Sequence, residues 1–257
     1  MTTEPLILLT ISDGVAYLTL NRAQRHNSLV PELVGELSYA LAEIRRHDLV
    51  AMVLAGAGKS FSTGGDIAAF HSVPRGQRRA YAETLVGGLH GAILTLLEMP
   101  MPVIARVHGP VTGGSLGLVL AADLVAMSSP AFIAPYYVDV GFSPDGGWTA
   151  LLPERIGAAR AREIQLLNRH VSAESAVAYG IATEAVAPEQ IDRVIAGWLD
   201  ALRGKSRGSL RATRELLMPP ERRTAIAGKL QRELDRFLHT IESEEADAGM
   251  AKFLAVA

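Results

Sequence analysis

Residues 102 to 117 read PVIARVHGPVTGGSLG. The first part, Pro102 to Val107, is short, apolar and β-prone, and the rest is a glycine-punctuated loop that runs into an apolar helical pattern. The same order occurs once before, where Ala51 to Ala55 has the pattern of a short buried strand and GAGKSFSTGGD follows at 56 to 66. Strand, glycine-rich loop, then helix, met twice along one chain, predicts a layered α/β architecture in which loops at strand ends build the site.

Outward from this stretch the elements alternate. Leu6 to Ile11 and Val15 to Leu20 are apolar runs joined by Ser12-Asp13-Gly14, a hairpin signal. Asn27-Ser28 precedes Leu29 to Ile44, whose spacing predicts a helix capped from that pair. The longest apolar stretch, VTGGSLGLVLAADLVAM at 111 to 127, contains Asp123 and three glycines, so a buried helix running into a strand fits it better than a membrane span. From about Ser172 the pattern turns mostly helical, through SAESAVAYG and PEQIDRVIAGWLDALRG to an amphipathic stretch from Pro220 to about Ser243. No Pro/Ser linker separates the two regions, so the tail is expected to pack on the core or on a neighbouring subunit.

Composition narrows the function classes. The chain has 257 residues, 49% hydrophobic and 20% charged, enough for one large α/β domain with a sizeable core. A net charge of -2 gives no reason to expect nucleic acid or an acidic membrane as partner. The chain has no cysteine, which removes disulfides, thiol nucleophiles and Cys-based metal sites. The His residues are scattered along the chain rather than clustered with further ligands, so no metal is expected. The opening MTTEPLILLTISDG lacks the basic and apolar regions of a signal peptide, and a cytoplasmic location is the expectation.

Two loops carry the first chemical possibility. A helix start preceded by glycine exposes backbone N–H groups, and the helix dipole adds partial positive charge there. STGGD at 62 to 66 and VTGGS at 111 to 115 could aim two N–H groups at one oxygen as an oxyanion hole, or could simply be tight turns that allow close packing. Neither loop has a P-loop or Rossmann spacing. A third stretch, GFSPDGG at 141 to 147, holds one acid, Asp145, which is either a turn residue capping a helix or a group for chemistry.

Five segments in order, LTLNRAQRHNSL (18 to 29), FSTGGDI (61 to 67), PMPVIARVHGPVTGGSLGLVLAADLVAM (100 to 127), GFSPDGGWTALLPERIG (141 to 157) and NRHVSAESAVAYGIATEAV (168 to 186), resemble the crotonase, or enoyl-CoA hydratase/isomerase, superfamily. The resemblance implies an α/β fold with a ββα spiral core over 1–190 carrying an acyl-CoA site. It implies a C-terminal helical region over 191–257 for oligomerisation and site closure. It further implies trimers or dimers of trimers, and coenzyme A as part of the substrate rather than a separate cofactor. By motif, the two N–H groups that hold a thioester enolate would be those of Gly65 and Gly114. The two glutamates with which hydratases of this family handle water fall on Gly117 and Tyr137, so a standard hydratase mechanism is not expected.

Asp145 then stands where several family members place a catalytic acid, and the resemblance implies an enoyl-CoA isomerase with Asp145 as acid/base. Nucleophilic or hydrolytic use of Asp145, or a non-catalytic CoA-binding protein, remain alternatives. Arg25, His26, Thr63, Asp66 and Ile67 match positions that frame the nucleotide and pantetheine, although Arg25 could be solvated surface charge and Asp66 a helix cap. Tyr137 could donate a proton, and Trp148, beside Asp145, could line the acyl pocket or serve the core. His108 reads as a satisfied loop histidine.

Overall fold

The computed structural model describes residues 4–256. The chain opens with β1 (Ile7–Ser12) and β2 (Val15–Leu20), paired antiparallel through a turn in which Asp13 and Gly14 both have positive φ, 49° and 74°. That is the turn chemistry whose twist matches a hairpin, and Asp-Gly supplies it without strain. Helix α1 (Pro31–Ile44) follows, then β3 (Ala51–Gly56), α2 (Ile67–Ser72), α3 (Arg75–Leu97), β4 (Val103–Val107) and the two-residue β5 (Val111–Thr112). The chain continues through α4 (Leu116–Leu120), β6 (Leu124–Ser128), β7 (Phe132–Ala134), α5 (Tyr137–Val140), α6 (Leu152–Ile156), α7 (Ala158–Leu166), β8 (Val171–Ser172), α8 (Ala173–Tyr179) and β9 (Glu184–Val186). Four helices close it: α9 (Ile191–Arg203), α10 (Arg207–Leu217), α11 (Pro220–Thr240) and α12 (Glu244–Val256).

The large sheet runs β1-β2-β3-β4-β6-β9 and is parallel from β2 onward; a small sheet runs β5-β7-β8. Each of β3, β4 and β6 gives one strand to the large sheet, steps to the small-sheet layer and then enters a helix. The step is made by β5 after β4 and by β7 after β6; after β3 it is a single parallel bridge of Ser62 to Val111. This is the ββα spiral that the resemblance implied. The apolar runs of β3, β4 and β6 have both faces covered: α1 and α3 pack on one side, while Ile191, Ile195 and Leu199 of α9 cover Val15, Val53, Ile104 and Ala126 on the other.

Two local expectations are corrected. Asn27 does not cap α1, whose N-cap is Val30 with no side-chain cap. Asn27 is fully buried with φ 54°, and its Nδ2 donates to the Ala57, Ser60 and Phe61 carbonyls while Oδ1 accepts from Arg22 N, so it ties the first loop to the glycine loop after β3. The longest helix, α3, has no counterpart in the elements predicted from the sequence. It is long and apolar enough to cross a membrane, but half of its apolar window is buried in the protein, against α1 and α11.

Candidate active site

The two glycine loops lie side by side at the ends of β3 and β4. Ser62 and Val111 form the bridge, and Ser115 Oγ donates to the Ser62 carbonyl at 2.9 Å and to that of Thr112 at 2.7 Å. Gly64 has φ 75°, and a β-carbon there would stand 2.7 Å from the Thr112 carbonyl oxygen, so the close approach of the loops requires glycine. The Gly65 N–H has no backbone acceptor among the described residues. Gly114 lies in a single 3-10 turn, Gly113–Ser115, whose N–H groups have no acceptor within the turn. Both glycines line a cavity of about 680 Å³.

Asp145 enters the same cavity from the loop after α5 and is 6% exposed. Its Oδ1 accepts from Tyr137 Oη at 2.7 Å, the one side-chain hydrogen bond made to this carboxyl among the described residues. A β-carbon on Gly114 would collide with Oδ1, which puts the carboxyl against the glycine that could bind an oxyanion. Burial raises the Asp145 carboxyl to about 7; the Tyr137 hydrogen bond pulls the other way, and the nearby Glu233 adds to the rise. Tyr137 itself is pushed well above the ordinary phenol value, first by burial and then by Asp145, so it donates to Asp145 and does not act as a base.

The structure corrects the view of Asp145 as a helix cap. Among the described residues its side chain reaches no helix N–H, and the chain passes through turns over 148–151 before α6 begins at Leu152. The backbone donors of that turn are taken instead by Glu233 of α11, 88 positions after Asp145 along the chain. Glu233 Oε2 accepts from Gly147 N at 2.8 Å, and Oε1 accepts from Thr149 N at 2.7 Å, Thr149 Oγ1 at 2.7 Å and Ala150 N at 2.9 Å. His90 of α3 accepts from Gly146 N through Nε2 at 3.2 Å; burial lowers it to about 4, so it is neutral. Capping and carboxylate placement are therefore divided between two residues, which frees Asp145 to face the cavity.

Neither Glu233 nor His90 was singled out from the sequence. The signal was available: Glu233 falls on the buried stripe Ile226, Leu230, Leu234, Phe237 of α11, and His90 on the stripe Val86, Leu89, Ile93 of α3. A titratable group at such a position must find partners, because burying it without them costs several kcal/mol.

The position of the first missing glutamate is closed. A β-carbon on Gly117 would collide with the Gly146 carbonyl oxygen and with Ile93 Cδ1. Gly146, φ 58°, in turn lies directly on the Gly114 backbone. The loop that brings Asp145 in thus fills the space in which a side chain at 117 would lie.

Arg25, His26, Thr63, Asp66, Ile67 and Tyr137 also line the cavity. Asp66 is 4% exposed, accepts from Ala69 N as the cap of α2, and receives Arg22 at 2.7 Å and Arg25 at 3.2 Å. Burial raises its carboxyl, but the Arg22 hydrogen bond and the other donors more than offset this and hold it below its ordinary value. Arg25 keeps its side chain half exposed at the rim, and His26 Nδ1 lies 3.0 Å from Ser60 Oγ. Trp148 departs from the expectation of a pocket wall. It is fully buried outside the cavity lining, and its Nε1 donates to the Gly113 carbonyl at 2.7 Å, bracing the second glycine loop from behind. His108 is only half satisfied, against the expectation of a satisfied loop histidine: its Nε2 lies 2.9 Å from the Gly58 carbonyl oxygen, while its Nδ1 is buried without a partner among the described residues.

Comparison with known proteins gives a consistent setting for this geometry. A family model described as enoyl-CoA hydratase/isomerase matches residues 10–255. A probable enoyl-CoA hydratase, echA12, of Mycobacterium bovis is 35% identical over 247 residues, covering 93% of this chain and 87% of the relative. The 1,2-epoxyphenylacetyl-CoA isomerase of Escherichia coli is 32% identical over 72% of this chain and 71% of its own. The crystal structure of an enoyl-CoA hydratase from Bacillus halodurans superposes with a TM-score of 0.90 at 20% identity, covering 96% of this chain and 99% of that one.

Proposed function

The chain belongs to the enoyl-CoA hydratase/isomerase family, and from that premise we propose that it moves the double bond of an enoyl-CoA, with Asp145 as the acid/base. The observation that carries this reading is a buried carboxyl with a value near 7, set against Gly114 in the cavity, in a chain whose position 117 has no room for a glutamate. A carboxyl near 7 is half ionised at neutral pH, which suits a group that must take a proton and give it back.

In the proposed reaction the thioester oxygen accepts hydrogen bonds from the Gly65 and Gly114 N–H groups, which stabilises the enolate oxygen and so lowers the barrier to removing the α-proton. Asp145 Oδ2 takes the α-proton of a β,γ-unsaturated thioester. The electron pair delocalises through the double bond into the thioester oxygen as a dienolate. Asp145 then returns the proton to the γ-carbon, leaving an α,β-conjugated product. No atom is gained or lost, and a buried base that does not exchange its proton with water serves both steps. Arg25, His26, Thr63, Asp66 and Ile67 would hold the coenzyme A portion at the open end, with Arg25 near a phosphate.

We also place the protein in the cytoplasm as a homotrimer or dimer of trimers. Leu166, Leu167, Leu216 and Leu217 are 61 to 80% exposed, which supports a covered surface in an assembly and is checked by light scattering. The activity is tested with a panel of β,γ- and α,β-enoyl-CoAs followed at the conjugated thioester absorbance. Conversion of β,γ substrates without hydration is the expected result. Hydration of α,β substrates, or a covalent acyl adduct on Asp145 by mass spectrometry, would replace the isomerase reading.

A further inference from the structure

We propose that the acyl end of this cavity is built for an aromatic acyl group rather than a linear chain, an inference that rests on the acyl-CoA reading and narrows it. Aromatic residues are scarce in this protein: six Phe, six Tyr and two Trp, 5% of the chain. Five of the six phenylalanines, Phe70, Phe132, Phe142, Phe237 and Phe253, nevertheless line this one cavity, together with Tyr136. Away from the cavity the buried core is filled mainly by Leu, Ile, Val, Ala and Met, with Phe61 and Trp148 its two fully buried aromatic residues among those described, so the rings are concentrated on this one lining.

The rings come from separate parts of the chain. Phe70 lies in α2, Phe142 in the loop after α5, Phe237 in α11 and Phe253 in α12. Phe70 and Phe142 stand edge to face at 5.9 Å, Phe142 and Phe237 edge to face at 5.2 Å, and Phe70 and Phe237 are tilted at 5.9 Å. This cluster adjoins the proposed thioester position, because a β-carbon on Gly65 would stand 3.0 Å from Phe70 Cε2. Elsewhere on the cavity lining, Phe132 stacks on His170 at 4.9 Å and Tyr136 Oη lies 3.0 Å from His170 Nε2, which fixes both rings.

Rings held by their neighbours give a flat-sided, rigid slot. Such a slot offers a planar ring edge-to-face contacts beyond those of area burial, and it gives a flexible chain no comparable gain for the rotamers it loses on binding.

The test is calorimetric binding of thioesters that carry no olefinic double bond and so cannot turn over as enoyl substrates. Phenylacetyl-CoA is compared with octanoyl-CoA of equal carbon number, with cyclohexylacetyl-CoA and with free coenzyme A. The expected result is phenylacetyl-CoA at least about tenfold tighter than octanoyl-CoA, a factor equal to ~1.4 kcal/mol. A second measurement uses Phe142→Leu, with its fold checked by circular dichroism, in which the phenylacetyl-to-octanoyl preference is expected to shrink about fivefold. Octanoyl-CoA binding as tightly as phenylacetyl-CoA overturns the aromatic slot and leaves the acyl-CoA reading standing. Equal binding of cyclohexylacetyl-CoA overturns the aromatic assignment in favour of ring shape alone. No thioester binding better than free coenzyme A overturns both readings.

Discussion

At the residue scale, the chemistry turns on Asp145 and what surrounds its carboxyl. Asp145→Asn keeps the shape and removes the base, so kcat should fall about 10³-fold while thioester affinity changes little, measured by steady-state kinetics and calorimetry. If the ionised form is the base, kcat of the wild type should rise with pH and level off above about 7, the value to which burial raises this group. Tyr137→Phe removes the donor that holds the carboxyl down, so the midpoint of that pH profile should move upward; an unmoved midpoint would separate Tyr137 from Asp145. Gly117→Glu should not create a hydratase. Its side chain has the Gly146 carbonyl and Ile93 where it would have to go, and urea unfolding should register a loss of about 3 kcal/mol or more. The two positions differ in how far the sequence disclosed them. The absence of glutamate at 117 could be read directly, whereas its cause, the Gly146 backbone lying over Gly114, exists only once the loops are folded together.

At the element scale, the turn at 146–150 is held by α3 and α11, neither of which is near it in sequence. Glu233→Gln keeps the length of the side chain but gives up its charge and one of its two acceptor oxygens. The four donors on Gly147, Thr149 and Ala150 cannot all then be satisfied. The expected loss is about 2 to 3 kcal/mol in urea unfolding, with kcat reduced more than KM because the turn that carries Asp145 loosens. Strands, the hairpin and the C-terminal helices were legible because each has a local signal: the Asp13-Gly14 turn, the apolar runs of β3 and β4, the stripe of α11. Helix α3 was not, since its first turns read RGQRRAYAE and its middle holds Gly87, Gly88 and Gly91, and its stability comes from α1 and α11 rather than from its own pattern. The same limit explains Asp145. From the sequence the nearest acid to the turn is the natural cap, and nothing local announces that Glu233 arrives from α11 to take that place.

At the scale of the whole molecule, the buried titratable groups around this turn set a pH dependence of stability that can be separated from activity. Asp145 is raised from 3.8 in the unfolded chain to about 7, so the folded protein holds the extra proton between those values. Its favourable contribution is complete at low pH and is lost as pH rises through about 7. His90 is lowered from 6.5 to about 4, so its contribution is complete above 6.5 and is lost as pH falls through about 4. Over nearly the same window the two slopes oppose each other, while Glu233, raised by burial, adds to the side of Asp145. Asp145→Asn removes one term of that balance. The variant should therefore gain stability relative to wild type as pH rises from 4 to 7, by up to ~1.4 kcal/mol per pH unit while one proton is at stake. Chemical denaturation of both proteins across this range reads the difference directly. A gap that widens with pH and levels off above about 7 fits an acid held partly protonated at the cost of stability for the sake of its reaction. A gap that is flat with pH would mean that Asp145 ionises in the folded protein as it does in the unfolded chain, and would remove the physical basis for its role as a base near neutrality.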